Sequence, residues 1–143
     1  MTESLAGTRT LAAWRRIEAD GATGYPLGEK AHGLLSYTDN GRMTVQITGA
    51  NRADLATDDP LGGDEGARAE AYSTYLAYFG TYEVQGQSVV HRIEGSLYQN
   101  WAGESQVRPF TAESGELVLR TPRMRVADGS TVVNELAWRR DKR

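Results

Sequence analysis

His91 is the residue of this sequence that is best suited to move a proton. It alternates with Val89 and Ile93, so all three side chains point to the same apolar side of a predicted strand. Burial there would lower the pKa of the imidazole and leave it neutral, as a base near neutral pH requires. The alternative is a structural histidine bonded to Tyr37 or to a backbone carbonyl, since buried polar groups are normally satisfied and few of them are catalytic.

Arg108 could bring a positive charge to the same interior. It shares a strand face with Gln106, and an inward guanidinium could bind a carboxylate, an enolate or a polyketide carbonyl. An unpaired buried arginine is costly, so an inward Arg108 needs an acid such as Glu94 or an anionic ligand. The direction of Arg108 stays open, because it shares its strand face with the apolar Phe110. Pro109 cannot donate to a ladder and predicts a bulge or break there. The candidate catalytic residues are therefore His91, Arg108 and Tyr37.

The strands that must position these residues are visible as short alternating runs. The chain has 143 residues, enough for one domain over residues 1–143, and its 16 glycines separate runs in which apolar and polar residues alternate. This pattern is typical of an all-β domain, and about eight strands suffice to close a small barrel. The predicted strands lie near residues 8–17, 32–38, 42–48, 80–85, 88–95, 104–111, 116–121 and 131–139.

One helix is predicted to interrupt the strands, near residues 65–78. Asp64 or Asp59 could cap its start, and Gly80 suits a left-handed cap at its end. The residues that fall on one stripe at helical spacing are Ala67, Ala71, Tyr75 and Phe79. The helical tyrosines that we expect to pack against the barrel mouth are Tyr72, Tyr75 and Tyr78.

The predicted connections alternate in length, which places them at opposite ends of a meander. Three are tight turns, formed by Asp39-Asn40-Gly41, Gln85-Gly86-Gln87 and Glu113-Ser114-Gly115. Four are long, and they comprise residues 18–31, 49–79, 96–103 and 122–130. We therefore expect a barrel that is closed by short turns at one end and open between long segments at the other.

Alternation also selects the side chains expected inside the barrel. Apolar residues at every second position are assigned to the interior, and the charged residues between them to solvent. The first strand is ambiguous, because Trp14 shares its face with Arg16. The residues expected at the rim are Tyr25, His32, Tyr98 and Trp101. The candidate ligand-binding residues are these four together with Leu35, Met43, Val45, Tyr82, Ile93, Phe110, Asn134 and Trp138.

A barrel of this size could also fill itself with side chains and leave no cavity. In that case Tyr37, Tyr82 and Trp138 form the core, and the residues of the long segments are packing anchors. The four long segments argue for a cavity, because loops of this size in a compact domain are usually functional or disordered.

Three stretches of the chain together carry a family resemblance: GYPLGEKAHGLLSYTDNGRM (Gly24 to Met43), YLAYFGTYEV (Tyr75 to Val84) and VVHRIEGSLYQNWAGESQVRPF (Val89 to Phe110). With these stretches the sequence resembles the lipocalin-like domain family, small stand-alone bacterial and fungal proteins that are often encoded among secondary-metabolism genes. The resemblance covers nearly the whole chain. It implies an all-β, eight-stranded antiparallel up-and-down lipocalin-like barrel with one helix at the open end and a small apolar ligand, but no agreed reaction.

The chain departs from this family at two positions. Arg9 stands where relatives carry a tryptophan that plugs the closed end of the barrel, and either Trp14 or Trp138 could replace it. Gln99 stands where a proline is expected, which could loosen the loop before Trp101.

Composition excludes several classes of protein. Cysteine is absent, and His32 and His91 lack metal-ligand spacing, so we expect no disulfide, no metal and no cofactor. The net charge is -3 without a basic stripe, which argues against nucleic acid as a partner. No long apolar run predicts a membrane segment or a signal peptide, so a cytoplasmic protein is expected. A homodimer is left open.

The predicted partner is a hydrophobic or amphipathic small molecule that enters through the loop-lined end. We favour a cofactor-free cyclase, isomerase or dehydratase of a secondary-metabolite intermediate, because polar, titratable groups among apolar walls suit proton transfer or cyclisation. A carrier without chemistry is the first alternative. A filled barrel that serves only as an interaction module is the second.

Overall fold

Eight long antiparallel strands close into a barrel in the computed structural model, which describes residues 4–141. Two short strands and two short helices complete it. The strands are β1 (Gly7–Glu18), β2 (Thr23–Gly24), β3 (His32–Tyr37), β4 (Arg42–Thr48), β5 (Tyr75–Gln85), β6 (Ser88–Ser96), β7 (Ser105–Glu113), β8 (Glu116–Arg120), β9 (Met124–Arg125) and β10 (Thr131–Arg140). The helices are α1 (Glu65–Ser73) and a 3₁₀ turn at Gln99–Trp101.

The strand order confirms the predicted up-and-down barrel. The sheet runs β2-β1-β3-β4-β5-β6-β7-β8-β10-β9, and pairing between β1 and β10 closes it. The three tight turns lie at one end, and Ser114 and Gly115 in the last of them both have positive φ, 52° and 80°. A hairpin turn with positive φ at both central positions matches the twist of the flanking strands. The long connections, including the segment with α1, lie at the other end.

The boundary between the helix and the next strand was predicted wrongly. Asp64 does cap the helix, accepting a hydrogen bond from the Ala67 amide at 2.9 Å, but the helix ends at Ser73 and β5 begins at Tyr75. Gly80 is therefore a strand residue and not a helix cap. A β carbon there would lie 1.9 Å from the Arg92 carbonyl oxygen, beside the irregular register between Phe79 and Gly80.

A bulge in β1 settles the direction of the first strand. Leu11 pairs with Trp138 and Ala13 pairs with Ala137, which leaves Ala12 as an extra residue. An extra residue reverses the alternation, because successive side chains of a strand point to opposite faces. Before the bulge the odd-numbered residues Arg9 and Leu11 face the interior. After it the even-numbered residues Trp14 and Arg16 do so.

Pro109 does not break its strand, contrary to the prediction of a bulge or break. β7 is continuous, and Pro109 pairs with Ser88 of β6. Pairing with β8 begins at the next residue, Phe110, and extends to Glu113. The first half of β7 thus pairs on one side only. Because its alternation is unbroken, Arg108 points inward with 6% of its surface exposed.

The core consists of side chains that face the inside of the barrel. Alternation in β4 and β6 is as predicted, with Met43, Val45, Val89 and Ile93 all buried. Of the two tryptophans considered as replacements at the closed end, Trp138 is completely buried within this core, whereas Trp14 is only partly buried. The core also covers Arg9, which is buried and donates to the Leu5 carbonyl oxygen at 2.6 Å.

Within residues 4–141, no helix is long and apolar enough to cross a membrane. The same part of the chain contains no group of three or more histidine or acidic side chains that could hold a metal ion.

Candidate functional site

A cavity of about 390 Å³ lies inside the barrel. Its walls are mostly apolar and include Leu35 of β3, Val45 of β4 and Leu119 of β8. A small polar cluster interrupts these walls on neighbouring strands, and its members are Tyr78, His91, Gln106 and Arg108. An apolar pocket with a few convergent polar groups is the usual form of a small-molecule site.

His91 joins two tyrosines. The Tyr37 hydroxyl oxygen lies 2.6 Å from Nε2 of His91, and the Tyr78 hydroxyl oxygen lies 2.7 Å from Nδ1. All three side chains are buried, with at most 6% of their surface exposed. Burial lowers the pKa of His91 to about 3, and the nearby positive charge of Arg108 acts in the same direction. The imidazole is therefore neutral at pH 7, and both of its nitrogens are occupied.

The donor and the acceptor can be assigned in both hydrogen bonds of His91. A neutral imidazole has one donor nitrogen and one acceptor nitrogen. Within residues 4–141 the Tyr37 hydroxyl has one hydrogen-bond partner, Nε2 of His91, and a buried hydroxyl left without an acceptor is costly. We therefore assign a Tyr37 hydroxyl that donates to Nε2 and an Nδ1–H that donates to the oxygen of Tyr78.

This direction makes the Tyr78 hydroxyl a donor toward the cavity. Its oxygen accepts from His91, and the Arg108 side chain lies beside it, so the hydroxyl proton is free to donate elsewhere. Burial raises the pKa of Tyr78, although Arg108 acts in the opposite direction, and the phenol keeps its proton at neutral pH. The remaining O–H can be satisfied by an acceptor in the cavity, which Tyr78 lines.

Arg108 has no acid beside it in the part of the chain that the structure describes. One of its terminal nitrogens donates to Gln106 Oε1 at 3.2 Å. Glu94, the predicted partner, lies on the outside of the barrel and pairs with Arg42 at 2.8 Å. A buried guanidinium without a counter-charge favours an anionic or strongly accepting ligand.

The polar groups of the cavity offer donors and few free acceptors. Asn134 Oδ1 already accepts from Trp14 Nε1 at 2.8 Å, and Gln106 Oε1 accepts from Arg108. In contrast, Nε1 of Trp138 is buried without a partner among the described residues. The cavity is therefore complementary to a ligand whose polar atoms are carbonyl or carboxylate oxygens.

Aromatic rings flank the polar cluster toward the long segments. Trp101 of the 3₁₀ turn packs edge-on against Tyr78, with ring centroids 5.8 Å apart, and against Tyr98 at 5.4 Å. Trp101 lines the main cavity, while Tyr98 lines an adjoining cavity of about 270 Å³ beneath the helix and the segment before β3. Edge-to-face packing of this kind holds rings in place.

The structure brings part of the predicted site together. The predicted residues that line the main cavity are Leu35, Val45, His91, Trp101, Arg108, Asn134 and Trp138. Tyr37 contributes indirectly, through its hydrogen bond to His91.

The other predicted ligand-binding residues lie outside the main cavity. Met43 and Ile93 belong to the buried core but do not line the main cavity, and Phe110 packs against that core. Tyr82 packs against Tyr37 with its ring tilted by 49° and donates to the Thr38 carbonyl oxygen of the closed-end turn. The exposed residues of this group are Tyr25, His32 and Tyr98. Alternation shows which side chains face inward but not how far along the barrel they lie. The sequence therefore could not distinguish cavity-lining residues from inward residues that do not reach the cavity.

Sequence reasoning missed Tyr78 as part of the polar cluster. Its spacing from Tyr75 and Tyr72 had placed it on a helix, whereas β5 directs it inward opposite Ser96 of β6. The available signal was the alternation of Leu76, Tyr78 and Gly80, which matches a strand that begins earlier. The cavity-lining residues that were left ambiguous or unassigned also include Trp14, Arg16 and Met124.

A closed antiparallel barrel around an apolar cavity with a polar cluster is consistent with a protein that binds a small molecule. The sequence profile of the lipocalin-like domain matches residues 6–141, and the chain belongs to this family. Two solved structures are similar to it. The wild-type fluorescent protein UnaG shows 20% identity and a TM-score of 0.40, with 99% of this chain and 100% of that chain covered. A point mutant of UnaG shows 18% identity and a TM-score of 0.40, with 98% of both chains covered.

No curated protein matches the chain significantly.

Proposed function

We propose that the protein binds a hydrophobic or amphipathic small molecule in the barrel and acts on it as a cofactor-free cyclase, isomerase or dehydratase of a secondary-metabolite intermediate. The observation that carries this proposal is the pairing of Tyr78 and Arg108 as buried donors in the wall of an apolar cavity. Two such donors stabilise negative charge that develops on a carbonyl oxygen.

Among these reactions, cyclisation has the best support. Isomerisation and dehydration need a base that removes a proton from carbon, and no aspartate or glutamate of the described chain lines the cavity. His91 offers neither nitrogen to a substrate, because Tyr37 and Tyr78 occupy both. A ring closure that needs only a folded substrate and a polarised carbonyl requires no base. In this proposal Tyr78 and Arg108 are the catalytic residues, and His91 and Tyr37 position Tyr78.

A carrier without chemistry is the second candidate. The occupied nitrogens of His91 favour it, because a satisfied hydrogen-bond network rigidifies a binding wall as readily as it supports catalysis. The two candidates share the same binding site and differ in turnover.

Binding can be tested with three probes of equal chain length: decanoate, 2-decanone and decylammonium, each titrated by calorimetry. We expect decanoate to bind most tightly, 2-decanone more weakly, and decylammonium not at all, because the cavity presents donors and a positive charge. Arg108→Gln should weaken decanoate binding about tenfold. Arg92→Gln removes an arginine on the outer face of the same sheet and should leave the affinity for decanoate unchanged. Equal binding of decanoate and decylammonium would refute a donor-lined site.

Turnover can be tested with an acyclic trienone such as 1,7,9-decatrien-3-one. Its carbonyl-activated alkene closes onto the diene with formation of two carbon–carbon bonds and no proton transfer. A cyclase should raise the first-order rate of ring closure above the background, and Tyr78→Phe should lower that rate more than it lowers affinity. A protein that binds such trienones and leaves the rate at background would be a carrier.

A cytoplasmic location and a homodimer remain predictions. Sedimentation of the purified chain with and without decanoate would test the homodimer.

A further inference from the structure

Arg16 lies where the barrel interior meets its open end. It follows the bulge in β1, pairs across the backbone with Asn134 of β10 and Gly24 of β2, and lines both the 390 Å³ cavity and the adjoining one of about 270 Å³. The function proposed above makes no use of this side chain.

The side chain of Arg16 is only partly satisfied within the described residues. Its Nε is buried and has no hydrogen-bond partner. No aspartate or glutamate of residues 4–141 lines either cavity. The positive charge of Arg16 interacts with the exposed carboxylate of Asp128, but the two side chains form no ion pair. An enclosed guanidinium N–H without an acceptor is costly, and an anionic group in the cavity would relieve that cost.

Arg16 and Arg108 face the cavity from different walls. The strand order β7-β8-β10-β1 separates them by three strand spacings, roughly 14 Å along the barrel wall. Arg16 also lines the adjoining cavity, which Arg108 and Tyr78 do not, so an oxygen held there is distinct from one held by Arg108 and Tyr78. The cavity between them is lined by apolar groups such as Leu119, Leu136 and Trp138.

We propose that Arg16 is a second anion-binding position, which holds an acidic group on the end of the ligand opposite to the oxygen bound by Arg108 and Tyr78. The inference rests on the proposed binding function and sharpens its ligand class. The ligand is an elongated apolar molecule with a carbonyl or carboxylate at its inner end and a carboxylate or equivalent acid at its outer end.

The proposal can be tested by calorimetry at pH 7.5 with decanedioate and decanoate. The two probes have the same chain length, and decanoate lacks the acid at the second end. We expect the wild-type protein to bind the dianion at least tenfold more tightly than decanoate. Arg16→Gln should reduce this ratio to one or below and leave the affinity for decanoate within twofold of wild type. Arg16→Lys, which retains the charge, should keep a preference above threefold.

Arg123 provides the matched control. It lines the same cavity near its rim but is exposed, so Arg123→Gln should leave the tenfold ratio intact. Asp128→Asn removes a carboxylate that interacts with the charge of Arg16 and should leave the ratio unchanged or increase it. Circular dichroism and melting temperature show whether each variant is folded, and Arg16→Met, which also removes the charge, serves as the test variant if Arg16→Gln is not.

The failures of the two proposals are distinguishable. If the affinity for decanoate depends on Arg108 but the dianion binds no more tightly than decanoate, the second position is wrong and the first stands. The same holds if the dianion keeps its tenfold advantage in the folded Arg16→Gln variant. If the wild-type protein binds neither probe, or binds both independently of Arg108, both proposals are wrong.

Discussion

The hydroxyl oxygen of Tyr78 lies 2.7 Å from Nδ1 of His91, across neighbouring strands of the barrel. With Tyr37 at Nε2 on the other side, this contact makes the imidazole a bridge between two phenols and removes it as a free base. Its effect is to aim the Tyr78 hydroxyl at the cavity, beside Arg108. The chemistry of the site is therefore that of hydrogen-bond donation to a ligand oxygen.

Tyr78→Phe should weaken both the fold and ligand binding. It leaves the buried Nδ1–H of His91 without an acceptor, which costs about 1–3 kcal/mol of the free energy of unfolding. It also removes one donor to the ligand, so the Kd for decanoate should rise about tenfold. Urea unfolding and calorimetry measure the two effects. Tyr82→Phe, which removes a hydroxyl bonded to Thr38 at the closed end, should leave the Kd unchanged. An unchanged Kd in Tyr78→Phe would contradict the assigned donor.

The free energy of unfolding should fall as the pH is lowered below about 6.5. In the unfolded chain His91 protonates with the ordinary histidine pKa of 6.5, whereas in the native barrel burial lowers its pKa to about 3. Between these values the unfolded state binds more protons, so stability decreases by up to about 1.4 kcal/mol per pH unit as the pH falls. At higher pH the imidazole is neutral in both states, and this contribution to stability is complete.

His91→Gln tests that dependence, because glutamine can accept from Tyr37 and donate to Tyr78 without titrating. The slope of the free energy of unfolding against pH is measured in urea between pH 7 and pH 4.5. In His91→Gln this slope should correspond to about one proton fewer taken up on unfolding. His32→Gln removes the exposed histidine and controls for the loss of a histidine as such. A slope that stays steep in His91→Gln would mean that other groups cause it.

Arg108→Met should stabilise the unliganded protein and weaken the binding of decanoate. A buried guanidinium without an acidic partner is replaced by an apolar side chain of similar length, so the free energy of unfolding should rise by about 1 kcal/mol. Arg120→Met is the matched control, since it breaks an ion pair with Glu135 at 2.9 Å and should lower stability by about 0.5–1 kcal/mol. A large loss of stability in Arg108→Met would show that the native protein already compensates this charge.

Gly80→Ala should destabilise the barrel by about 2 kcal/mol or more. The added β carbon would lie 1.9 Å from the Arg92 carbonyl oxygen, which is backbone and cannot move aside cheaply. Gly24→Ala, in open space on β2, should change the melting temperature little. Thermal unfolding of both variants makes the comparison. Equal melting temperatures would mean that the barrel wall at Gly80 has room for a β carbon.

Local patterns in the sequence were sufficient for the architecture. Alternation in β4 and β6 correctly assigned Val45 and His91 to the interior, because a half-buried strand repeats every two residues whatever lies around it. The tight turns were equally readable, since Gly86 and Gly115 take positive φ that most residues avoid. The resemblance to the lipocalin-like domain family pointed to the same barrel, and the family match confirms it.

The tertiary structure decided where helix gives way to strand and which faces meet. Tyr75 and Tyr78 fit a helical stripe by spacing, but pairing of β5 with β4 from Thr48 to Arg42 satisfies their backbone as a strand. The extra residue Ala12 that directs Trp14 inward is defined only by the partner strand β10.

The sequence by itself thus determined an all-β barrel with one capped helix, tight turns at one end and an inward His91, because these features depend on neighbours along the chain. Only the tertiary structure joined His91 to Tyr78, directed Arg108 inward away from Glu94, and separated cavity from core. Those outcomes depend on strand register and on height along the barrel, which are set by contacts between residues far apart in sequence.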